Sequence, residues 1–164
     1  MPTRQGYVVA VAAVAAIVVG RVFGIIELYV IGAGLGLALL FGVAYVAVRL
    51  PRLGVARWVH PSMLAAGDTG SVDLDLVHGG SAPSARFLLE ETIRRPNESD
   101  QLAPLGVEPL APGERLRTGY DLATATRGVV EVGPLVAIVN DPLGVARRSV
   151  PVADVDRVIV SPRA

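Results

Sequence analysis

The chain has 164 residues, 15 basic and 15 acidic side chains, no net charge, no cysteine, and a mean hydropathy of +0.53. The lack of cysteine excludes disulfides, thiolate zinc sites and cysteine nucleophiles. No basic run is long enough to suggest nucleic-acid binding, and the basic residues are all arginine, which together with the Ala, Gly and Val content reads as the codon usage of a G+C-rich bacterial genome.

The apolar excess lies at the N-terminus. Residues 5–48 carry only two charges, Arg21 and Glu27. A membrane span needs about 20 residues at about 1.5 Å rise to cross a hydrocarbon core of about 30 Å. The run from Leu28 to Val48 meets this outright; the run from Gln5 does so if Arg21 snorkels to the interface. The spacing predicts a transmembrane helical hairpin over residues 6–48, with spans near 6–26 and 28–48, a tight loop at Arg21–Glu27, and a tail at residues 1–5. A cleaved signal peptide, with Arg4 as its charged start and Tyr7–Val19 as its apolar core, is the competing reading. It lacks a clear small-residue cleavage site before the second apolar run. Gly20 and Gly24, Gly32 and Gly36, and Ala12 and Ala16 each fall four apart, which suits close packing within the hairpin. Arginines flank the hairpin at Arg4, Arg49, Arg52 and Arg57, against Arg21 alone in the loop. The positive-inside rule then puts both termini in the cytoplasm, in a multi-pass inner-membrane protein.

From residue 49 to 164 the period changes to two. Val72, Leu74 and Leu76 alternate with Ser71, Asp73 and Asp75, and Leu116, Thr118, Tyr120 and Leu122 alternate in the same way. Leu53, Val55 and Val59 mark an earlier strand. Residues 85–93, 128–132, 135–139 and 156–160 bring the number to about seven. Turn signals separate them at Ala66-Gly67-Asp68, Gly79-Gly80, Ala111-Pro112-Gly113-Glu114 and Asn140-Asp141-Pro142. Residues 94–104, polar with two prolines, read as an exposed loop. The expected fold class is a two-helix transmembrane hairpin followed by an all-β, antiparallel sandwich of immunoglobulin-like type over residues 49–164.

Few residues invite chemistry. Asp68-Thr69-Gly70-Ser71 has the tetrapeptide of aspartic proteases, which pair two carboxylates to activate water. A dimer could supply the second one. Those enzymes run an apolar strand into the aspartate, whereas Ala65-Ala66-Gly67 precedes it here, so a β-turn fits Asp68 better. His60 and His78 lack partners at metal-ligand spacing. Asp73 and Asp75 read as solvated charges on the wet face of a strand. Arg94-Arg95 and Arg147-Arg148 are basic pairs that read as ordinary surface, with anionic lipid or an acidic partner as the sharper alternative. The glycines at 32–36 lie in a helix, so they form no nucleotide loop. No catalytic, metal or cofactor site emerges.

The order of a membrane hairpin, "RLPRLGVARWVHPSMLAAGD", "LAPGE", "TRGVVEVGPLVAIVNDPLGVARR" and "VIVSPR" resembles the N-terminal part of bacterial proteins of the "domain of unknown function 58" family. Residues 126–148 carry the most specific part of the likeness. The resemblance implies a von Willebrand factor A-like domain beyond Ala164, so the chain is expected to be a piece of a longer protein or a stand-alone form. It also implies an envelope-associated assembly with a MoxR-type AAA ATPase as protein partner, and it carries over no catalytic residue. The resulting expectation is a membrane-anchored, non-enzymatic interaction or scaffold module. A membrane-bound aspartic protease using Asp68, or an extracytoplasmic sensor or carbohydrate-binding β-domain, are the alternatives.

Overall fold

The computed structural model describes residues 1–60, 64–65, 69–96, 99–123 and 128–161. They form two compact units, one of residues 1–50 with 139–148, the other of residues 51–138 with 149–164.

The first unit is a helical hairpin. Helix α1 spans Arg4–Phe23 and α2 spans Ile26–Val48. Thr3 caps α1, its hydroxyl accepting from the Gly6 N–H at 3.0 Å, the usual service of a threonine to the unpaired donors of a first turn. Gly24 ends α1 in the left-handed conformation with φ 69°, a geometry that favours glycine. The loop is therefore tighter than the sequence suggests, with Gly24 and Ile25 alone outside helix. Arg21 sits in the last turn of α1 and Glu27 in the first turn of α2, where each charge complements its helix dipole.

The helices pack through small residues, which on α1 fall seven apart rather than four. Gly6, Ala13 and Gly20 are the buried residues of α1, and Gly32 and Gly42 are buried on α2. A methyl group at Gly32 would run into Ile17 and the Ala13 carbonyl, and one at Gly20 would press on Leu28. Gly24 and Gly36, expected to pack, face open space. The seven-residue spacing keeps Gly6, Ala13 and Gly20 on one stripe of α1.

The turn at 141–146 belongs to this unit. Pro2 forms an antiparallel bridge with Ala146. Thr3 N–H donates to the Val145 carbonyl at 2.9 Å, and its hydroxyl donates to the Gly144 carbonyl at 2.7 Å. The Asp141 carboxylate, buried, accepts from the Leu143 N–H at 2.9 Å and the Ala146 N–H at 2.5 Å. This is the local capture of turn donors that suits aspartate to the position. Val145 lies against both Gly6 and Gly42, so the turn rests where α1 begins and α2 ends.

The second unit is a two-sheet β-sandwich. Its strands are β1 (Leu53–His60), β2 (Leu64–Ala65), β3 (Thr69–His78), β4 (Phe87–Arg94), β5 (Gln101–Val107), β6 (Arg115–Ala123), β7 (Gly128–Asn140), β8 (Arg147–Ala153) and β9 (Asp156–Ser161). Three strands make one sheet in the order β1-β3-β6; the other runs β2-β9-β7-β4-β5, with β8 also paired to β7. The β1–β3, β3–β6, β4–β5 and β7–β9 pairings are antiparallel, and the short β2–β9 contact is parallel. The inner faces bury Val72, Leu74, Leu76, Phe87, Leu89, Ile93, Val130, Val132, Leu135, Val158 and Val160. The alternation read at 71–76 and 116–122 holds in the register: Leu74 lies opposite Thr118, and Val72 opposite Tyr120.

Three expectations need correction. Residues 128–140 form one strand, not two. Its buried positions shift from even (Val130, Val132) to odd (Leu135, Ala137) across Gly133-Pro134. Gly133 has φ 113°, and a Cβ there would meet the Asp154 carbonyl oxygen; a backbone irregularity of this kind flips which side chains face inward. The supposed loop at 94–104 ends in β5, an edge strand that tolerates Pro104 because one side needs no partner. The segment 139–148 groups with the helices rather than with the rest of 49–164.

Candidate functional site

A buried ionic cluster lies between the sheets. Arg57 takes an inward position on β1 and Glu91 an inward position on β4, with side chains 4% and 1% exposed, and their Nη2 and Oε1 atoms are 2.5 Å apart. Tyr120, inward on β6, donates its hydroxyl to Glu91 Oε2 at 2.6 Å. Arg57 Nη1 also donates to the carbonyls of Val132 (3.2 Å) and Asp154 (3.1 Å) and to Asp156 Oδ2 (2.7 Å). One arginine thus ties β1 to β4, β7 and the start of β9. Burial pushes the Tyr120 phenol well above its ordinary range, and its bond to the Glu91 carboxylate pushes in the same direction. Tyr120 is therefore a fixed donor at neutral pH. With Glu91 held by a cation and a phenol, the cluster offers no free base and no nucleophile; its chemistry is cohesion of the two sheets.

Sequence reasoning counted Arg57 among the charges flanking the membrane and passed over Glu91. Strand parity was the available signal. Arg57 shares the parity of Val55 and Val59, and Glu91 that of Leu89 and Ile93.

The outer face of the three-stranded sheet carries a groove lined by Trp58, Asp73, Asp75, Arg117 and Thr118. Trp58, opposite Asp73 in the register, is 48% exposed. Gly119 lies on the other side of Asp73, at a close approach where a Cβ would run into the Val72 carbonyl oxygen and the Asp73 carboxylate. Asp73 is exposed as expected. Asp75 is not: its side chain is 14% exposed and faces Arg117 Nε at 3.6 Å. The groove thus sets an aromatic face beside two carboxylates and a guanidinium.

The remaining candidates scatter. Asp68 lies outside the described residues. His60 is exposed at one end of β1, opposite Ser71, and His78 is buried at the far end of β3, opposite Leu53. At about 3.4 Å per residue the two cannot share a metal ion. His78 Nε2 is 2.9 Å from the Ala82 carbonyl, a structural bond that closes the turn after β3. Arg94 pairs with Asp100, and Arg95 reaches the Gln101 side chain, closing the β4–β5 connection. Arg147 and Arg148 are exposed beside the 141–146 turn. Among the described residues no group of three or more His, Asp or Glu could hold a metal ion.

No family model and no characterised protein sequence matches the chain. Solved structures do. The putative ApaA protein from Bordetella pertussis is 16% identical, over 69% of this chain and 97% of that one, with a TM-score of 0.50. The β-glucosidase EmGH1 from Erythrobacter marinus is 14% identical over 68% of this chain, with a TM-score of 0.47, and this chain spans 16% of its length. The CARDB domain of the PF1109 protein from Pyrococcus furiosus is 15% identical over 68% of this chain and 94% of that one, with a TM-score of 0.46. The likeness to ApaA bears on the β-sandwich fold alone, and the other two add no argument.

Proposed function

We propose that the chain is a membrane-anchored, non-enzymatic interaction module, its hairpin crossing a bacterial inner membrane and its sandwich presenting a surface to a protein partner. The observation that carries this reading is the outer surface of the hairpin. Val8, Val11, Val14, Val18, Val22, Leu37, Leu40 and Phe41 are all exposed, on helices of 20 and 23 residues. So much unburied apolar side chain is costly in water and costless in lipid. The sandwich is of immunoglobulin-like type, a reading supported by one sheet of β1-β3-β6 and a second in which β7 lies between β9 and β4. The resemblance to the N-terminal part of domain of unknown function 58 proteins adds a MoxR-type AAA ATPase as the partner class. Both termini are cytoplasmic, supported by Arg4, Arg49 and Arg52 against Arg21; Arg57 drops out of that count because it is neutralised inside the sandwich.

A reporter fused after Ala164 tests the topology. A fluorescent protein there should fold and fluoresce, and alkaline phosphatase there should be inactive. High phosphatase activity would put the sandwich outside and favour the second reading, an extracytoplasmic binding domain, for which the groove beside Trp58 is the supporting feature.

A further inference from the structure

We infer that the end of the hairpin where α1 begins and α2 ends is a binding surface for anionic phospholipid headgroups, assembled by Arg4, Arg147 and Arg148. The inference rests on the membrane reading above and names the lipid class that this anchor selects.

The arginines come from the two extremes of the sequence and are brought together by backbone pairing. Arg147 N–H donates to the Met1 carbonyl at 2.9 Å, next to the Pro2–Ala146 bridge. The register therefore sets Arg147 beside the first residues of the chain, with Arg148 following and Arg4 opening α1. The platform is rigid. Asp141 consumes its carboxylate on two N–H groups of its own turn, and Val145 is wedged against Gly6 and Gly42. The acidic side chain of the turn is thus buried and satisfied within it, and forms no ion pair with the arginines. Arg4, Arg147 and Arg148 are exposed and form no ion pair among the described residues. At the opposite end of the hairpin Arg21 is accompanied by Glu27, so the two ends differ in net charge.

An apolar element accompanies the charge. Leu143, at the tip of the turn, is 52% exposed, and Pro142 beside it is exposed as well. Basic side chains flanking an exposed leucine, on a segment fixed to the end of a membrane span, match the layering of a bilayer surface: phosphates outside, acyl chain starts within. Lipid is favoured over an acidic protein as the occupant because the surface continues directly into the apolar flanks of α1 and α2. Headgroups surround it in any bilayer the hairpin crosses.

The test uses the full chain reconstituted in nanodiscs of phosphatidylcholine, with spin-labelled phosphatidylglycerol or phosphatidylcholine as the probe. The wild type should hold the phosphatidylglycerol label several-fold more strongly, and high salt should erode the preference. The Arg147→Gln/Arg148→Gln variant should lose most of it, each arginine contributing up to about fivefold. Arg147→Lys/Arg148→Lys should keep it, and thermal unfolding of both variants should match the wild type. Equal retention of the two labels by the wild type overturns the inference while leaving the membrane reading intact, as does full preference in the glutamine variant. A folded lysine variant without preference overturns it too. Millimolar inorganic phosphate should not displace the label; displacement would make this a soluble-phosphate site and refute the lipid assignment. Extraction of the wild type from membranes by alkaline carbonate would refute the membrane reading, and the inference with it.

Discussion

Arg57 stands between Val55 and Val59 on the inward face of β1, where a charge is tolerated only if others meet it. Its partners differ in kind: the Glu91 carboxylate, two backbone carbonyls and the exposed carboxylate of Asp156. Breaking a buried pair from one side typically costs about 3–5 kcal/mol, whereas replacing both members with apolar groups is often close to neutral. The two single substitutions should therefore differ. Arg57→Met leaves Glu91 buried with the Tyr120 hydroxyl alone and should show the full penalty. Glu91→Gln leaves Arg57 three acceptors and should cost less. Arg57→Met/Glu91→Met should recover most of the stability, with Trp58, the only tryptophan, reporting unfolding of the sandwich by fluorescence. A double variant as unstable as the sum of the singles would mean the pair is not coupled.

Tyr120 gives a pH signature. Its raised folded-state pKa means that the unfolded chain ionises first, near the ordinary tyrosine value of about 10. The stabilisation is complete below that pH and is lost as the pH rises toward the folded value. The chain has no lysine and no cysteine, and its other tyrosines, Tyr7, Tyr29 and Tyr45, are in the helices. The unfolding midpoint of the sandwich should fall above about pH 10, and Tyr120→Phe should flatten that limb. An unchanged alkaline slope in the variant would disconnect the phenol from stability.

Strand β3 puts the face assignment to its sharpest test. Leu74 is buried between Arg57 and Thr118 in the register, and its neighbour Asp73 is exposed. Leu74→Asp places an unpaired carboxylate in the core at a cost of several kcal/mol, a large share of the about 5–15 kcal/mol that holds a domain together. Limited proteolysis of membranes should degrade the sandwich of Leu74→Asp while Asp73→Leu stays resistant; the opposite ranking would reverse the faces. This strand was legible in the sequence because its two faces differ in polarity. Strand β7 was legible only in halves, since Gly133-Pro134 looks like a turn while the backbone continues through it. Strand β5 was hidden behind Pro104 and polar neighbours, and an edge strand needs little apolar alternation. The Arg57–Glu91–Tyr120 cluster was missed for a related reason. Parity places each of these residues inside, but their polarity argues outside, and only the fold shows that they meet.

Taken as a whole, the chain passes between its two units three times, after Leu50, after Ile138 and after Arg148. The sequence announces the first crossing by its change of period. The other two carry no such sign, because Asp141-Pro142-Leu143-Gly144 reads as any surface turn, and nothing in its residues names the glycines it rests on. The pairing of residues 1–3 with 145–147 has a consequence for how the protein comes into being. Translation at about 5–20 residues per second separates the two ends of this pairing by on the order of ten seconds. The hairpin is thus made, and free to enter a bilayer, long before the segment that closes over its first residues leaves the ribosome. Its opening residues wait unpaired through the synthesis of nearly everything else, and the last step of their assembly is the return of the late chain to the early one.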